Sequence, residues 1–255
     1  MIDVQNLKDE RHVNIQKVGV KGLRYPITVL DKAHKTQQVQ AEINMYVSLL
    51  HHFKGTHMSR FVEVLNEIRK QVNIRTFHYI LAKIKEKLHA ESAHIEIEFP
   101  YFIEKTAPRS GAKSMMDYRC RFIGNCDKKG MVFMVGVDVP VTTLCPCSRA
   151  ISLVGAHNQR GIVSVLVRFR KFFWIEDLIK LIEGSASSEV YSLLKRIDEK
   201  YVTEKAYNNP MFVEDVVRNV AVNLNRDSNY IWYKVEAENF ESIHNHSAYA
   251  CVEKE

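Results

Sequence analysis

Apolar and polar residues alternate in four segments of the first half of the chain. The segments at about residues 14–30, 37–52, 94–106 and 114–126 show a period of two, as in the stretch AEINMYVSLL. This is the side-chain period of a strand that has one buried face. We therefore predict two pairs of strands, one near the N-terminus and one just before the middle of the chain.

Between these strand pairs, the spacing of the apolar residues changes to that of amphipathic helices. Apolar residues recur at i, i+3, i+4 and i+7 in two successive stretches, which is the helical period. They are Met58, Phe61, Val62, Leu65, Ile68 and Val72 in the first stretch, and Phe77, Ile80, Leu81, Ile84 and Leu88 in the second. The predicted order in the first half is β-β-α-α-β-β.

The same order recurs after a predicted turn at Asp127–Gly130. The segments at 131–141 and 162–172 read as strands, and those at 174–184 and 188–200 read as helices. The first of these helices ends at Gly184, a residue suited to the left-handed C′ position.

A further helix and two strands complete the second half. Asn209 and Pro210 are predicted to be its N-cap and first helical residue. Val213, Val216, Val217, Val220 and Leu224 would form its apolar face, and the stretches NYIWYKVEAENF and SAYACVE read as strands.

The fold class that follows is α+β, with antiparallel sheets and helices on one face of each sheet. We expect a duplicated ββααββ unit, the first covering residues 1–128 and the second residues 129–255. The half-polar strands leave one sheet face uncovered, and an oligomer that completes a larger sheet or barrel would cover it.

Composition and charge narrow the functional classes. The 255 residues are 46% hydrophobic and 26% charged, which is ordinary for a globular protein. No apolar run reaches the ~20 residues of a membrane span, and the polar N-terminal stretch has no signal-peptide core, so we expect a cytoplasmic protein. The net charge of +6 suits an anionic partner, either a nucleic acid or a phosphorylated small molecule.

The strongest chemical signal is the stretch TTLCPCSRAISLVGAHNQRG, which contains Cys145, Cys147 and His157. The five cysteines are an odd number, which favours free thiols or metal ligands over a disulfide framework. A single residue between the two cysteines argues against a thioredoxin-type redox pair. An open catalytic metal site needs three protein ligands, and Cys145 or Cys147 with His157 could supply two. The motif alone leaves buried thiols as an equal alternative.

Three further places carry candidate chemistry. His244 and His246 lie two residues apart, so in a strand they would share a face and could bind a metal or transfer protons. Glu214 falls in the first turn of a predicted helix, where a carboxylate could either favour the dipole or face a ligand. The stretch KGTHMSRF, from Lys54 to Phe61, puts a helix start beside cations and is suited to phosphate.

Taken together, LCPCSRAIS, GAHNQRG, KGTHMSRF, FVEDVVRNV and the terminal HNH resemble the GTP cyclohydrolase IB family over nearly the whole chain. The resemblance implies the tunnelling fold, with two ββααββ units per chain and a homotetramer. It also implies hydrolysis of GTP at guanine C8, release of formate and formation of 7,8-dihydroneopterin triphosphate, the first step of folate biosynthesis. The cofactor would be a divalent ion, Zn, Mn or Fe, and no nucleic acid or membrane partner is expected.

The resemblance also assigns roles to residues. Cys145, His157 and Glu199 match the metal ligands, although Glu204 lies close enough to Glu199 to be an alternative. Cys147 matches a catalytic thiol, and Glu214 matches the glutamate that holds the N–H edge of the purine. His244 and His246 match active-site histidines that would handle protons. Lys54, His57 and Arg60 are our expectation for the triphosphate, because its negative charge needs cations.

Three other functions compete with this reading. Archaeal relatives of the same fold release a cyclic phosphate, and the product mass would separate the two. Nitrile reductases of the same fold use a cysteine nucleophile and NADPH, but the second cysteine and His157 favour a metal here. A basic RNA-binding module is the alternative from another class, although no RNP1-like cluster or GXXG loop supports it.

Overall fold

A computed structural model describes residues 9–70 and 72–254, so the first eight residues of the polar N-terminal stretch lie outside it. The described residues form nine strands and six helices. In chain order they are β1 (Ile15–Asp31), β2 (Lys35–Leu49), α1 (Met58–Ile68), α2 (Phe77–Leu88), β3 (Ala93–Thr106), β4 (Lys113–Asp127), β5 (Gly130–Leu144), α3 (Pro146–Ile151), β6 (Asn158–Phe169), α4 (Ile175–Glu183), β7 (Ser188–Glu189), α5 (Arg196–Asn208), α6 (Val213–Asn225), β8 (Tyr230–Asn239) and β9 (Ala248–Glu253).

The predicted ββααββ order of the first half is confirmed. The first helix ends at Ile68, before the predicted Val72. The chain then turns at Asn73, whose Oδ1 accepts hydrogen bonds from the backbone N–H groups of Arg75 (2.9 Å) and Thr76 (3.2 Å). This side-chain turn leads directly into α2.

The chain divides into two compact units, and strands β3, β4 and β5 run through both. One unit comprises the chain up to Pro100 together with Arg121–Val135, and its strands are ordered β1-β2-β3-β4-β5. The other comprises Tyr101–Cys120 and the chain from Gly136 onward, with the order β3-β4-β5-β6-β8-β9 and β7 beside β5. The division into two repeated units at residue 128 stays a prediction.

The core of the first unit is formed where α2 packs closely on β4. A Cβ added at Gly124 would lie 2.4 Å from Cε1 of Phe77 and 2.8 Å from a methyl group of Leu81. The Phe77 ring in turn stacks on Phe133 with 4.2 Å between centroids. Glycine therefore permits a helix-to-strand approach that any larger residue would obstruct.

The core of the second unit is built on α6, which lies against β8 and β9. The apolar residues predicted for this helix are all buried: Val213, Val216, Val217, Val220 and Leu224. The facing strands bury Val165 on β6 and Val235 on β8 completely. Burial of these β-branched side chains supplies the main stabilisation of this layer.

The predicted helix at 188–200 is wrong in its first half. Ser188 and Glu189 pair with Thr142 and Val141 of β5, so the chain is extended there, and the helix begins at Arg196. Gly184 follows α4 with φ of −68°, so it is not in the left-handed conformation that we expected.

The predicted helix start at Asn209-Pro210 is also wrong. Asn209 ends α5, and its Nδ2 donates to the backbone oxygens of Ala186 (3.1 Å) and Ser187 (3.4 Å). Helix α6 starts three residues after Pro210, with Phe212 as its N-cap. Asp215 accepts the Phe212 N–H at 3.0 Å and so provides the cap that Asn209 was predicted to provide.

The α+β class with antiparallel strands is confirmed by the strand registers, in which β1 pairs with β2, β2 with β3, β6 with β8 and β8 with β9 in opposite directions. Among the described helices, none has the length and apolar character required to cross a lipid bilayer.

Candidate functional site

Cys145 and His157 lie side by side in the second unit. The backbone N–H of Cys145 donates to the backbone oxygen of His157 at 3.1 Å, which joins the end of β5 to the start of β6. Ser148 fastens the same junction: its N–H donates to Cys145 Sγ at 3.3 Å, and its Oγ accepts from the His157 N–H at 3.2 Å. These contacts therefore bring Cys145, one of the two candidate cysteines, next to His157.

Cys147 lies on the short helix α3, which the sequence pattern did not predict. Cys145 is the N-cap of this helix, Pro146 opens it, and Cys147 is exposed. The guanidinium of Arg149 lies 4.6 Å from the ring centroid of Tyr207 on α5, so the two helices are in contact. The exposed thiol of Cys147 is thus held on an ordered turn next to Cys145.

Two polar side chains face Nδ1 of the His157 ring. Its Nδ1 lies 3.1 Å from Gln159 Oε1 and 3.9 Å from Glu241 Oε2. The side chains of His157 and Glu241 are only 15% and 13% exposed. The sequence pattern did not identify Glu241 or Ser148 as neighbours of His157. Glu241 is one of many glutamates in the chain, and only its position shortly after β8 could have suggested it.

His244 and His246 lie between two strands, so the shared strand face considered for them does not apply. They lie in the turn at 241–247 that joins β8 to β9. Their rings nonetheless stack, with 5.1 Å between centroids and an interplanar angle of 18°. The turn begins at Phe240, whose N–H donates to the oxygen of Arg160 at 2.9 Å, so it starts near the beginning of β6.

Glu214 lies in the first turn of α6, as predicted, and its side chain is exposed. The N–H of Met211 donates to the oxygen of Leu144 at 3.0 Å, which ties the entry of α6 to the residue before Cys145. Because Asp215 provides the cap, the carboxylate of Glu214 has no role in closing the helix. It is therefore available to a ligand.

Glu199 and Glu204 are both exposed on α5, and Glu204 lies 3.8 Å from Lys200. No group of three histidine, cysteine or acidic side chains within 9–70 and 72–254 is arranged to hold a metal ion. The thiol of Cys145 and the imidazole of His157 are donor types that suit a divalent ion. The third donor is not gathered beside them within the described part of one chain.

The start of α5 is anchored by Asp198, which is fully buried. Its carboxylate accepts hydrogen bonds from Ser110 Oγ (2.6 Å) and from the backbone N–H groups of Arg109 (2.8 Å), Ser110 (2.9 Å) and Lys195 (2.9 Å). Burial by itself raises the pKa of Asp198, but these hydrogen bonds outweigh it and hold the pKa well below its usual range. The residue fixes the turn from which Glu199 projects.

The KGTHMSRF stretch starts α1 in the first unit, with His57 as the N-cap. Gly55, Thr56, His57 and Arg60 line a cavity of about 220 Å³. Lys54 instead lines a neighbouring cavity of about 290 Å³ together with Asp9 and Arg11. Among residues 9–70 and 72–254, no side chain forms a capping hydrogen bond at this helix start.

Comparison with known proteins identifies the family. Residues 1–250 match the sequence model described as Type I GTP cyclohydrolase folE2. The chain is 72% identical over 255 residues to a protein of Syntrophus aciditrophicus named GTP cyclohydrolase FolE2, with 100% of both chains covered. A protein of the same name from Geotalea uraniireducens is 58% identical, covering 100% of this chain and 94% of its own.

Solved structures resemble the chain in fold alone. Urate oxidase from Bacillus subtilis superposes with a TM-score of 0.56 at 8% identity, covering 94% of this chain and 98% of its own. Uricase from Arthrobacter globiformis superposes with a TM-score of 0.51 at 8% identity, covering 94% and 92%. The fold is the tunnelling fold, and by its full-length sequence similarity the chain belongs to the type I GTP cyclohydrolase FolE2 family.

Proposed function

We propose that this chain hydrolyses GTP at C8 of the guanine, releases formate and forms 7,8-dihydroneopterin triphosphate in the pathway to folate. The observation that carries the proposal is the 3.1 Å backbone hydrogen bond between Cys145 N and His157 O, which supports these two residues as neighbouring metal ligands. It occurs in a chain whose full-length relatives are named GTP cyclohydrolase FolE2. Membership of that family argues against the alternative function as an RNA-binding module.

A divalent metal ion is the cofactor that the family suggests, and Cys145 and His157 would hold it. When bound, such an ion activates water for attack on an electrophilic carbon near neutral pH. We propose Glu199 as the third ligand, with Glu204 as the alternative on the same helix. Zinc, manganese and iron are all candidates, because mixed sulfur, nitrogen and oxygen donors discriminate poorly among these ions.

Glu214 would bind the guanine. Two neighbouring N–H groups on the edge of guanine match the two oxygens of one carboxylate, and a base without them would leave that carboxylate unpaired. The exposure of Glu214 supports this role, as does the separate cap that Asp215 provides. The hydrogen bond from Met211 N–H to the oxygen of Leu144 keeps α6, which carries Glu214, near the turn at Cys145.

Ring opening and loss of formate require protons to be delivered and removed. His244 and His246 are suited to this because imidazole titrates near neutral pH in general. We propose that both rings face a substrate near the start of β6, next to His157. We propose Cys147 as a catalytic thiol at the same place, since its side chain is exposed at the start of α3.

The triphosphate would be held in the first unit by Lys54, His57 and Arg60. The cavity lined by His57 and Arg60, next to an uncapped helix start, supports an anion site there. We propose that these residues serve GTP within a homotetramer of the chain, built from two tunnelling-fold units per subunit. A cytoplasmic location stays a prediction, which cell fractionation tests.

The test is reconstitution of activity from purified protein. The full chain is stripped of metal with a chelator and incubated with GTP, and Mn²⁺ or Zn²⁺ is then added back. We expect formate, pterin fluorescence and a product with the mass of dihydroneopterin triphosphate only after metal is restored. Turnover that survives complete chelation would contradict the metal role, and a cyclic phosphate product would move the chain to the archaeal type of reaction.

A further inference from the structure

We propose that Gln159 and Thr143 are positioning residues that fix the tautomer of His157. The inference rests on the proposed role of His157 as a metal ligand and adds two residues of the same motif to which the sequence assigned no role. His157 Nδ1 lies 3.1 Å from Gln159 Oε1, and Gln159 Nε2 donates to Thr143 Oγ1 at 3.0 Å. The three side chains thus form a chain of hydrogen bonds from Thr143 on β5 through Gln159 to the His157 ring.

Thr143 and Gln159, the first two side chains of this hydrogen-bonded chain, are buried. Thr143 is 0% exposed and Gln159 is 7% exposed. A buried amide or hydroxyl that loses its partner has no bulk water to replace it, so buried polar groups are nearly always hydrogen-bonded. In the structure, the NH₂ group of Gln159 donates to the buried Thr143 hydroxyl, and the amide oxygen of Gln159 faces His157.

The orientation of the amide dictates where the ring proton sits. An amide oxygen can only accept, so Nδ1 of His157 must carry the hydrogen. Nε2 is then left without a proton and presents a lone pair on the opposite side of the ring. A histidine that binds a metal needs this arrangement, with one nitrogen donating to a neighbouring oxygen and the other free to coordinate.

The charge around the ring favours the same tautomer. Glu241 Oε2 lies 3.9 Å from the same Nδ1, so a second oxygen faces the protonated nitrogen. If the Gln159 amide had the opposite orientation, its NH₂ group would face Nδ1 and the proton would have to move to Nε2. The two arrangements therefore predict opposite tautomers in the protein without metal.

Nitrogen NMR of the metal-free full-length chain distinguishes them. The histidine rings are labelled with ¹⁵N, spectra are recorded at pH about 8.5, where ordinary imidazole with a pKa of about 6.5 is neutral, and the His157 signals are assigned from a His157→Asn sample. We expect the Nδ1–H tautomer for His157 in the native protein. A dominant Nε2–H tautomer, the form that free imidazole in water prefers, would overturn the proposal.

Matched variants test whether Gln159 and Thr143 set the tautomer. Thr143→Val keeps the shape of the side chain but removes its hydroxyl, and Gln159→Met removes the acceptor at similar length. Both should shift His157 toward Nε2–H, whereas Thr143→Ser, which retains a hydroxyl, should not. An unchanged tautomer in Thr143→Val and Gln159→Met would overturn the proposal. If Gln159→Met does not fold, the comparison of Thr143→Val with Thr143→Ser decides the question.

Metal affinity separates this inference from the proposed function. Competition of Zn²⁺ between the protein and a chelator should show about 10- to 100-fold weaker binding in Thr143→Val and Gln159→Met, the range for residues that orient a metal-binding histidine, with Thr143→Ser unchanged. If Thr143→Val and Gln159→Met both bound Zn²⁺ with wild-type affinity, the positioning role would be overturned. Wild-type affinity in His157→Ala would instead overturn the ligand role of His157, while the NMR result would still decide the tautomer.

Discussion

His157 and Cys145 lie twelve residues apart in the chain, and Ser148 joins them by accepting from one and donating to the other. The motif suggested that a thiol and an imidazole could share an ion. The fold adds the reason why they can do so, because the turn of α3 returns the chain to the end of β5. Glu199 and Glu204 both lie on the exposed surface of α5. Substitution of each glutamate in turn would show which one binds the metal.

At the residue scale, Cys145→Ala and His157→Ala should each lose bound metal and GTP turnover together. Removal of a direct ligand should lower metal affinity by more than the roughly 10- to 100-fold that is typical of residues that only orient a ligand. Metal content of the purified protein and formate release measure the two effects. Cys251→Ala, which removes an exposed thiol on β9, is the matched control and should keep both. Full metal content in Cys145→Ala would refute the assignment.

Glu214→Gln should raise the KM for GTP while the metal stays bound. Hydrogen bonds to a charged group contribute about 1.5–3 kcal/mol, so we expect a rise of about 10- to 100-fold. Steady-state kinetics with GTP measures the effect. Asp215→Asn is the neighbouring control: it weakens the helix cap and costs up to about 1 kcal/mol of stability, but it should leave the KM near the wild-type value. Equal KM values in Glu214→Gln and wild type would exclude the guanine role.

At the scale of elements, a buried carboxylate anchors the start of helix α5. Asp198 accepts three backbone N–H groups and one hydroxyl, and Arg109 beside it lies over the ring of Tyr201 with 4.4 Å to the centroid. The sequence pattern predicted only that residues 188–200 form a helix. The anchoring role follows from the contact with the loop at 109–110, which is distant in the chain.

This anchor predicts a specific pH dependence of stability. The pKa of Asp198 is lower in the folded chain than its ordinary value of about 3.9, so the folded state binds fewer protons than the unfolded state. Its contribution is therefore present above about pH 4 and is lost as the pH falls below that value. The difference in unfolding free energy between wild type and Asp198→Asn should be largest at pH 6 to 7 and should shrink toward pH 3.

Denaturant unfolding at several pH values measures this difference. The control is Asp117→Asn, which removes an exposed carboxyl from β4 and should change stability by no more than about 0.5 kcal/mol. If Asp198→Asn were as stable as wild type at pH 7, the anchoring role would be wrong.

The contact between α2 and β4 gives a second prediction at this scale. Gly124→Ala should destabilise the protein by about 1–3 kcal/mol, because the added Cβ would lie 2.4 Å from the Phe77 ring. Gly184→Ala is a suitable control, since its Cβ would meet its nearest neighbour at 3.4 Å and its φ of −68° suits alanine. Thermal unfolding of both variants measures the effect, and equal midpoints would show that the core relaxes around the extra methyl group.

At the scale of the whole molecule, the turn between Cys145 and His157 exposes apolar side chains. Ile151, Leu153 and Val154 are 85%, 102% and 90% exposed. Contiguous exposed apolar residues are typical of a surface that another protein covers. They support the proposed homotetramer, in which a second copy of the chain would cover the turn next to the candidate metal site.

Sedimentation at micromolar concentration should therefore give a mass of about 118 kDa, four times the 29.6 kDa of one chain. Leu153→Glu should lower the mass, because a charge in a covered apolar contact is costly. Tyr79→Glu, a change at a half-exposed aromatic residue on α2, should leave it at the tetramer value. A wild-type mass of one chain would contradict the tetramer.

The hydrophobic pattern by itself determined the class of fold and most of the strands and helices, because burial of one face imposes a period of 2 or 3.6 on the sequence. It failed at 188–200 and at Asn209, where side chains and backbone bond to distant residues: Ser188 pairs with β5, and Asn209 binds the oxygen of Ala186. Local spacing carries no signal for such contacts. The candidate donors Cys145 and His157 were visible from their residue types and their resemblance to a family. Only the tertiary structure decided that Gln159 and Glu241 face the imidazole and that Thr143 bonds to Gln159, because a hydrogen-bond partner is selected by proximity in space and not by order along the chain.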